Sequence, residues 1–135
     1  MTPLKIAIFG AGLVGARHVA EAASQAQLCA IVDPSEAGQA LAAQYDVPYF
    51  KTPEDCLQDV TPDGVVIATP NHLHANHAVL SLEAGVPVLI EKPIADTRAN
   101  ADRIVEAADR TGVPVLIGHH PVSYTHLTLP TTSRV

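Results

Sequence analysis

Short apolar runs rich in β-branched residues recur along the chain at 4–9, 28–32, 65–68, 86–90 and 115–117, and most are apolar at nearly every position. A strand with one wet face alternates apolar and polar residues, whereas a strand covered on both faces has no need to. The runs therefore predict a buried parallel sheet, whose strands must be joined by crossovers. The stretches between them carry helical spacing. Residues 13–26 are rich in Ala, with Val14, His18 and Ala22 along one side; Ser35 is placed to cap a helix over 36–45; Asn71 or His72 opens a helix that runs to Ala84 and stops at Gly85. In the last such stretch Thr97 can cap, Ala101, Ile104, Val105 and Ala108 keep an i, i+3, i+4, i+7 spacing, and Gly112 ends the helix. A weaker strand is expected at 47–50, with a short helical turn over 53–59. Steady alternation with right-handed crossovers predicts an α/β fold, a doubly wound parallel sheet.

With 135 residues the chain has room for one core and one domain. Its residues are 47% hydrophobic but only 4% aromatic, so the core must be built from Ala, Val, Ile and Leu, as suits helices packed on such a sheet. The formal net charge is -6 and no Lys/Arg cluster occurs, which argues against nucleic acid and anionic membrane as partners. No apolar run approaches the ~20 residues that span a bilayer, and residues 1–5 lead straight into a strand without the pattern of a signal peptide. A cytoplasmic location is the expectation. Cys29 and Cys56 are far apart in sequence, in dissimilar contexts, and lack C-x-x-C or metal-ligand spacing, so buried reduced thiols are expected.

The chemistry-bearing segments fall at strand ends. Gly10, Gly12 and Gly15 form a G-x-G-x-x-G turn, with Ala11, Leu13 and Val14 between them, directly after the first strand and at the mouth of a helix. The first glycine permits the tight turn, the second lets backbone approach a diphosphate, and the third allows close helix-to-strand contact. Amide N–H groups and the partial positive charge of the helix start can then hold the phosphates. Asp33 ends the second strand, about 20 residues further on, where a carboxylate accepts hydrogen bonds from the adenosine ribose hydroxyls. A carboxylate there repels a 2'-phosphate, and Pro34 and Ser35 supply no cation, so NAD is expected in preference to NADP. Glycines and acidic residue together specify a Rossmann-type dinucleotide fold.

Two further segments leave later strand ends, Ala-Thr-Pro-Asn-His-Leu-His at 68–74 and Glu-Lys-Pro at 91–93. In this order and spacing, the four features resemble the N-terminal domain of the Gfo/Idh/MocA oxidoreductases, over residues from about 4 to about 120. The resemblance implies that Thr69, Pro70, Asn71 and His74 border the nicotinamide half of the cofactor. It also implies that Glu91 and Lys92 reach the nicotinamide ribose and the substrate, with Lys92 as the catalytic residue. Leu13 and Val14 join the cofactor-binding set with the glycines. An ammonium beside a substrate hydroxyl can stabilise a developing alkoxide, and Pro93 restricts Lys92 to extended geometry.

His72, His74 and His77 invite a metal reading. His72 and His74 do not share a helical face, and no carboxylate or Cys stands at ligand spacing, so no metal is expected and helix-start capping or cofactor contact is preferred. His119 and His120 follow the last strand with no role assigned.

The implied activity is hydride transfer to or from a sugar, polyol or related hydroxyl-bearing small molecule, by an enzyme that acts as a homo-oligomer when full-length. The alternative is a non-catalytic dinucleotide-binding sensor or regulatory module, which would bind NAD without turnover. Residues 1–120 are expected to form the dinucleotide-binding domain, with no second, substrate-binding domain in this sequence, which leaves the chain inactive alone and prone to self-association. Residues 121–135 lack any coherent period and resemble tails on truncated chains of unrelated families, as a sequencing or assembly junction would produce. An uninterrupted reading frame ending at Val135 in genomic DNA would refute that origin.

Overall fold

A computed structural model describes residues 3–118. The elements follow in the order β1 (Lys5–Phe9), α1 (Leu13–Gln25), β2 (Gln27–Val32), α2 (Glu36–Tyr45), β3 (Tyr49–Phe50), α3 (Pro53–Asp59), β4 (Gly64–Ile67), a 3₁₀ turn (Asn71–Leu73), α4 (His74–Glu83), β5 (Val88–Glu91), α5 (Arg98–Thr111) and β6 (Val115–Gly118). The strands form one six-stranded sheet in the order β3-β2-β1-β4-β5-β6, and every pairing is parallel. This is the doubly wound Rossmann sheet that the apolar runs predict.

The runs are apolar throughout because each strand serves two cores. On β1, Ile6 and Ile8 point into a cluster with Val19 of α1 and Ala42 of α2, while Ala7 and Phe9 point into another with Cys56 of α3, Ala78 of α4 and Ile104 of α5. Helices α1 and α2 thus cover one face and α3, α4 and α5 the other. At 25 cal/mol per Å² or so of apolar surface removed from water, this double burial is what holds the sheet.

Local signals set the helix ends. Ser35, Thr52 and Thr97 each accept a backbone N–H with the side-chain oxygen and so cap α2, α3 and α5. Gly112 adopts the left-handed conformation that ends α5, and Gly85 has a positive φ just past α4. Three expectations need correction. The segment after β4 begins as a 3₁₀ turn and becomes α-helical only at His74. On α5 the buried residues are Ile104, Ala107 and Ala108, with Ala101 and Val105 half-buried; the face that meets both sheet and α4 contains the predicted stripe and extends it to Ala107. On α1 the buried side is Gly15, His18, Val19 and Ala22, and Val14 turns toward the strand-end crevice instead.

Cys56 is buried and Cys29 half-buried, both as free thiols, and they pack into the same apolar layer although 27 residues apart in sequence. Burial is the main cause that pushes their pKa values up, to about 11 for Cys29 and about 12 for Cys56. No helix among the described residues is long and apolar enough to cross a membrane.

Candidate dinucleotide site

The connections after β1 and β4 leave in opposite directions, so the strand order reverses between these neighbours. A crevice opens there at the carboxyl ends of the strands, where open α/β sheets bind ligands. The glycine-rich turn forms one lip. Gly10 has φ +106°, and a Cβ there would sit 2.5 Å from the Ala68 carbonyl oxygen; a Cβ on Gly15 would sit 2.0 Å from the Gly10 carbonyl oxygen. Both positions require glycine for packing. Gly12 is different, because a Cβ there would meet nothing within 4 Å. Its bare backbone faces open space.

Helix α1 begins at that open space with no side-chain cap and no acidic residue in its first turn. Its first N–H groups are available to an anion, unlike those of α2, α3 and α5. Leu13, 91% exposed, and the half-buried Val14 flank them. Across the turn, Asp33 Oδ2 accepts the Ala11 N–H at 2.7 Å, and Oδ1 accepts the Ser35 N–H at 2.8 Å together with the Ser35 hydroxyl. The carboxylate is half-buried and retains accepting capacity toward the crevice.

Three hollows run along the crevice and share lining residues. One of about 500 Å³ lies between Asp33, Pro34, Lys51, Pro70, Leu73 and His77. A second, of about 450 Å³, is bounded by Gly10, Gly12, Val14, Asp33, Thr69 and Pro70. The third, of about 120 Å³, is bounded by Val14, Thr69, Asn71, His74, Glu91 and Lys92. The structure therefore brings every candidate residue but Gly15 to one crevice: Gly10, Gly12, Leu13, Val14 and Asp33 at its centre, Thr69 and Pro70 along one wall, and Asn71, His74, Glu91 and Lys92 at the far end, while Gly15 is buried beneath the turn.

Several contacts were not visible in the sequence. His18 of α1, nearly buried, pairs through Nε2 with Glu91 Oε2. His74 is 1% exposed, with Nδ1 2.9 Å from the Pro93 carbonyl oxygen and Nε2 2.8 Å from that of Thr69. Both partners are carbonyl acceptors, and a neutral imidazole has one N–H to give, so it donates to one of them at a time. The peptide between Lys92 and Pro93 is cis. His77 Nδ1 is hydrogen-bonded to the Thr69 hydroxyl at 3.1 Å, and its ring meets Phe9 edge-on. Burial holds the His77 pKa below its ordinary value. Lys51, from the end of β3, places a cation in the wall of the hollow that Asp33 borders. Gly38 of α2 is also needed, since a Cβ there would meet the Asp33 Cβ at 2.5 Å. Among the described residues no group of three or more His, Cys, Asp or Glu is arranged to hold a metal ion. His119 and His120 lie outside the described residues, as does 121–135.

The residues present fit a dinucleotide. An uncapped helix start behind a bare glycine suits a diphosphate, a carboxylate lies on one side of it, and a hollow extends on each side. Comparison with known proteins agrees. The Gfo/Idh/MocA family model, described as an oxidoreductase family with an NAD-binding Rossmann fold, matches residues 4–119. The rhizopine catabolism protein MocA of Rhizobium meliloti is 32% identical over 121 residues, 88% of this chain and 38% of that protein. Inositol 2-dehydrogenase 1 of Saccharopolyspora erythraea is 37% identical over 108 residues, 76% of this chain and 32% of that protein. The crystal structure of the WlbA dehydrogenase from Bordetella pertussis, in complex with NADH and UDP-GlcNAcA, superposes with a TM-score of 0.80 at 31% identity, over 86% of this chain and 37% of that one. The chain thus spans about a third of the length of these relatives. It belongs to the Gfo/Idh/MocA oxidoreductase family, as an NAD-binding Rossmann domain.

Proposed function

We propose that this chain is the cofactor half of an NAD-dependent dehydrogenase that transfers hydride to or from a hydroxyl-bearing carbon of a sugar, polyol or related small molecule. The observation that carries the reading is the meeting of an uncapped helix start, Asp33 and Lys92 along one continuous crevice. The diphosphate lies on the N–H groups of α1, the adenosine ribose on Asp33, and the base in the hollow lined by Pro34, Pro70 and His77. Thr69, Pro70, Asn71 and His74 shape the wall toward the nicotinamide end. NAD, when bound, supplies the hydride acceptor or donor. Glu91 meets the nicotinamide ribose. Lys92 is the candidate catalytic residue, whose ammonium faces the substrate oxygen, stabilises negative charge developing there and moves its proton.

The sugar-class substrate is supported by what the relatives are named for, inositol 2-dehydrogenase among them. The remaining substrate contacts come from the part of the relatives that this chain does not span. Hydride transfer needs the reacting carbon held in near-attack geometry, and half a pocket does not provide that. Residues 3–118 are accordingly read as a binding domain inactive by itself.

Calorimetric titration of the purified chain with NAD and NADP, alongside Asp33→Ala, tests the cofactor reading. Binding of NAD in preference to NADP, weakened by the substitution, is expected. A chain that is folded by circular dichroism yet binds neither dinucleotide would refute it.

A further inference from the structure

We infer that His18 and His74 are positioning residues that clamp the Glu91–Lys92–Pro93 turn from two sides and so tie the end of the crevice nearest Lys92 to the two loops that hold the dinucleotide. The inference rests on the dinucleotide reading above and adds residues to it. A turn at the end of a four-residue strand has little of its own to fix it, because Lys92 follows the last residue of β5 and is itself exposed. Two buried imidazoles supply what the strand lacks.

From one side, His18 reaches Glu91 out of α1, the helix whose start would carry the diphosphate. His18 lies one helical turn beyond Gly15, in the direction away from the phosphates, so its ring is carried by the same rigid body as the glycine-rich turn. Gly118 of β6 leaves space for this carboxylate, since a Cβ there would approach Glu91 Oε2 to 3.1 Å. From the other side, His74 at the head of α4 lies between the carbonyl oxygens of Thr69 and Pro93, within hydrogen-bond reach of both. Its ring packs between the loop after β4 and the turn after β5 and can donate to either. Both rings are buried, at 5% and 1% exposure, which keeps water from the imidazole side of each contact.

Lys92 therefore sits between an anchored residue before it and an anchored residue after it. The anchors belong to the elements that bear Gly12 and Thr69, and a shift of either element is passed to Lys92. Placement of this kind matters because a misplacement of about 1 Å at a reacting centre is severely penalised. His18 and His74 need touch neither cofactor nor substrate to do this.

The test compares NADH with ADP, which lacks the nicotinamide half, by calorimetric titration of the whole chain. In His18→Met the buried volume is filled by a flexible side chain without a donor, and in His18→Gln an amide N–H remains to meet Glu91. If the clamp operates, His18→Met lowers NADH affinity by about tenfold, the order of a lost hydrogen bond to a charged group. ADP affinity stays within about twofold, and His18→Gln restores NADH binding. NADH and ADP affinities that fall together, an unchanged NADH affinity, or a Gln variant as weak as the Met variant would each overturn the proposal. Should His18→Met lose its circular dichroism, the same pair of titrations on His74→Met decides. A wild-type chain that binds neither ligand would instead fail the dinucleotide reading and take this inference with it.

Discussion

Asp33 Oδ2 accepts the Ala11 amide N–H at 2.7 Å, which makes the acidic end of β2 and the glycine-rich turn after β1 one hydrogen-bonded unit. The same carboxylate orders the start of α2 through Ser35. It has a structural duty before any ribose arrives. Asp33→Ala should therefore lower the stability of the cofactor-free chain by about 1–3 kcal/mol, the cost of leaving partly buried amides without an acceptor. Urea denaturation without NAD measures this. Asp33→Asn should recover part of the loss, since its one carbonyl oxygen can serve one of the two loops. Equal stability of all three proteins would show that the loops hold themselves.

The glycines separate into two kinds by what surrounds them, and alanine substitution should separate them too. At Gly15 a methyl group would press on the Gly10 carbonyl oxygen at 2.0 Å, a backbone atom with no rotamer to yield. Gly15→Ala should cost about 3 kcal/mol of stability. Gly12 has an ordinary φ of -73° and free space for the same methyl group. Gly12→Ala should change stability by less than about 1 kcal/mol while lowering NAD affinity at least tenfold or so, because the methyl occupies the diphosphate's place. Thermal melting paired with NAD titration reads both effects, and a Gly12→Ala protein that binds NAD normally would exclude the diphosphate from that spot.

The sheet, the helix caps at Ser35 and Thr97 and the stop at Gly112 were legible because each is a local pattern: a run, a hydroxyl before a helix, a glycine after one. The order and spacing of short motifs also made the crevice residues legible. Contacts made across the sheet were not. His18 and Glu91 are 73 residues apart, and only the strand order β1-β4-β5 brings α1 over the end of β5. The available signal was a titratable side chain on the apolar side of α1, which must find a partner once buried. Lys51 reaches the Asp33 hollow for the same kind of reason, since β3 lies beside β2. Pro34 and Ser35, which follow Asp33, supply no cation, yet the neighbouring strand delivers one in Lys51. The addition of Ala107 to the expected face of α5 has a simpler cause: a helix packed on both a sheet and α4 buries a wider arc than one apolar stripe defines.

The two thiols should be inert in the folded chain. Burial raises Cys29 to about 11 and Cys56 to about 12, so at pH 8 the fraction ionised is on the order of one in a thousand or less, and the thiolate is the reactive form. Ellman's reagent should leave the native protein almost untouched over minutes and titrate both cysteines once urea unfolds it. A stoichiometric burst with the native protein would mean that the layer containing them opens readily.

His77 gives the fold a pH dependence whose sign can be worked out. Burial is the first cause that holds its pKa below the ordinary 6.5, with His74 and His72 acting the same way and Glu54 opposing them. The unfolded chain thus binds a proton at this site more readily than the folded one, and stability rises with pH wherever that difference exists. The contribution is fully present above the unfolded value of about 6.5 and is lost progressively as pH falls from there through the lower folded value. Protonation would bring a charge to a ring packed edge-on against Phe9 and hydrogen-bonded to Thr69, in the wall of the hollow assigned to the base. Urea midpoints for the wild type and His77→Gln at pH 7.5, 6.0 and 5.0 isolate this group, because every other titrating residue is common to both. The wild type should lose stability relative to the variant as pH drops. A difference that stays constant over this range would show that His77 titrates alike in the folded and unfolded chains.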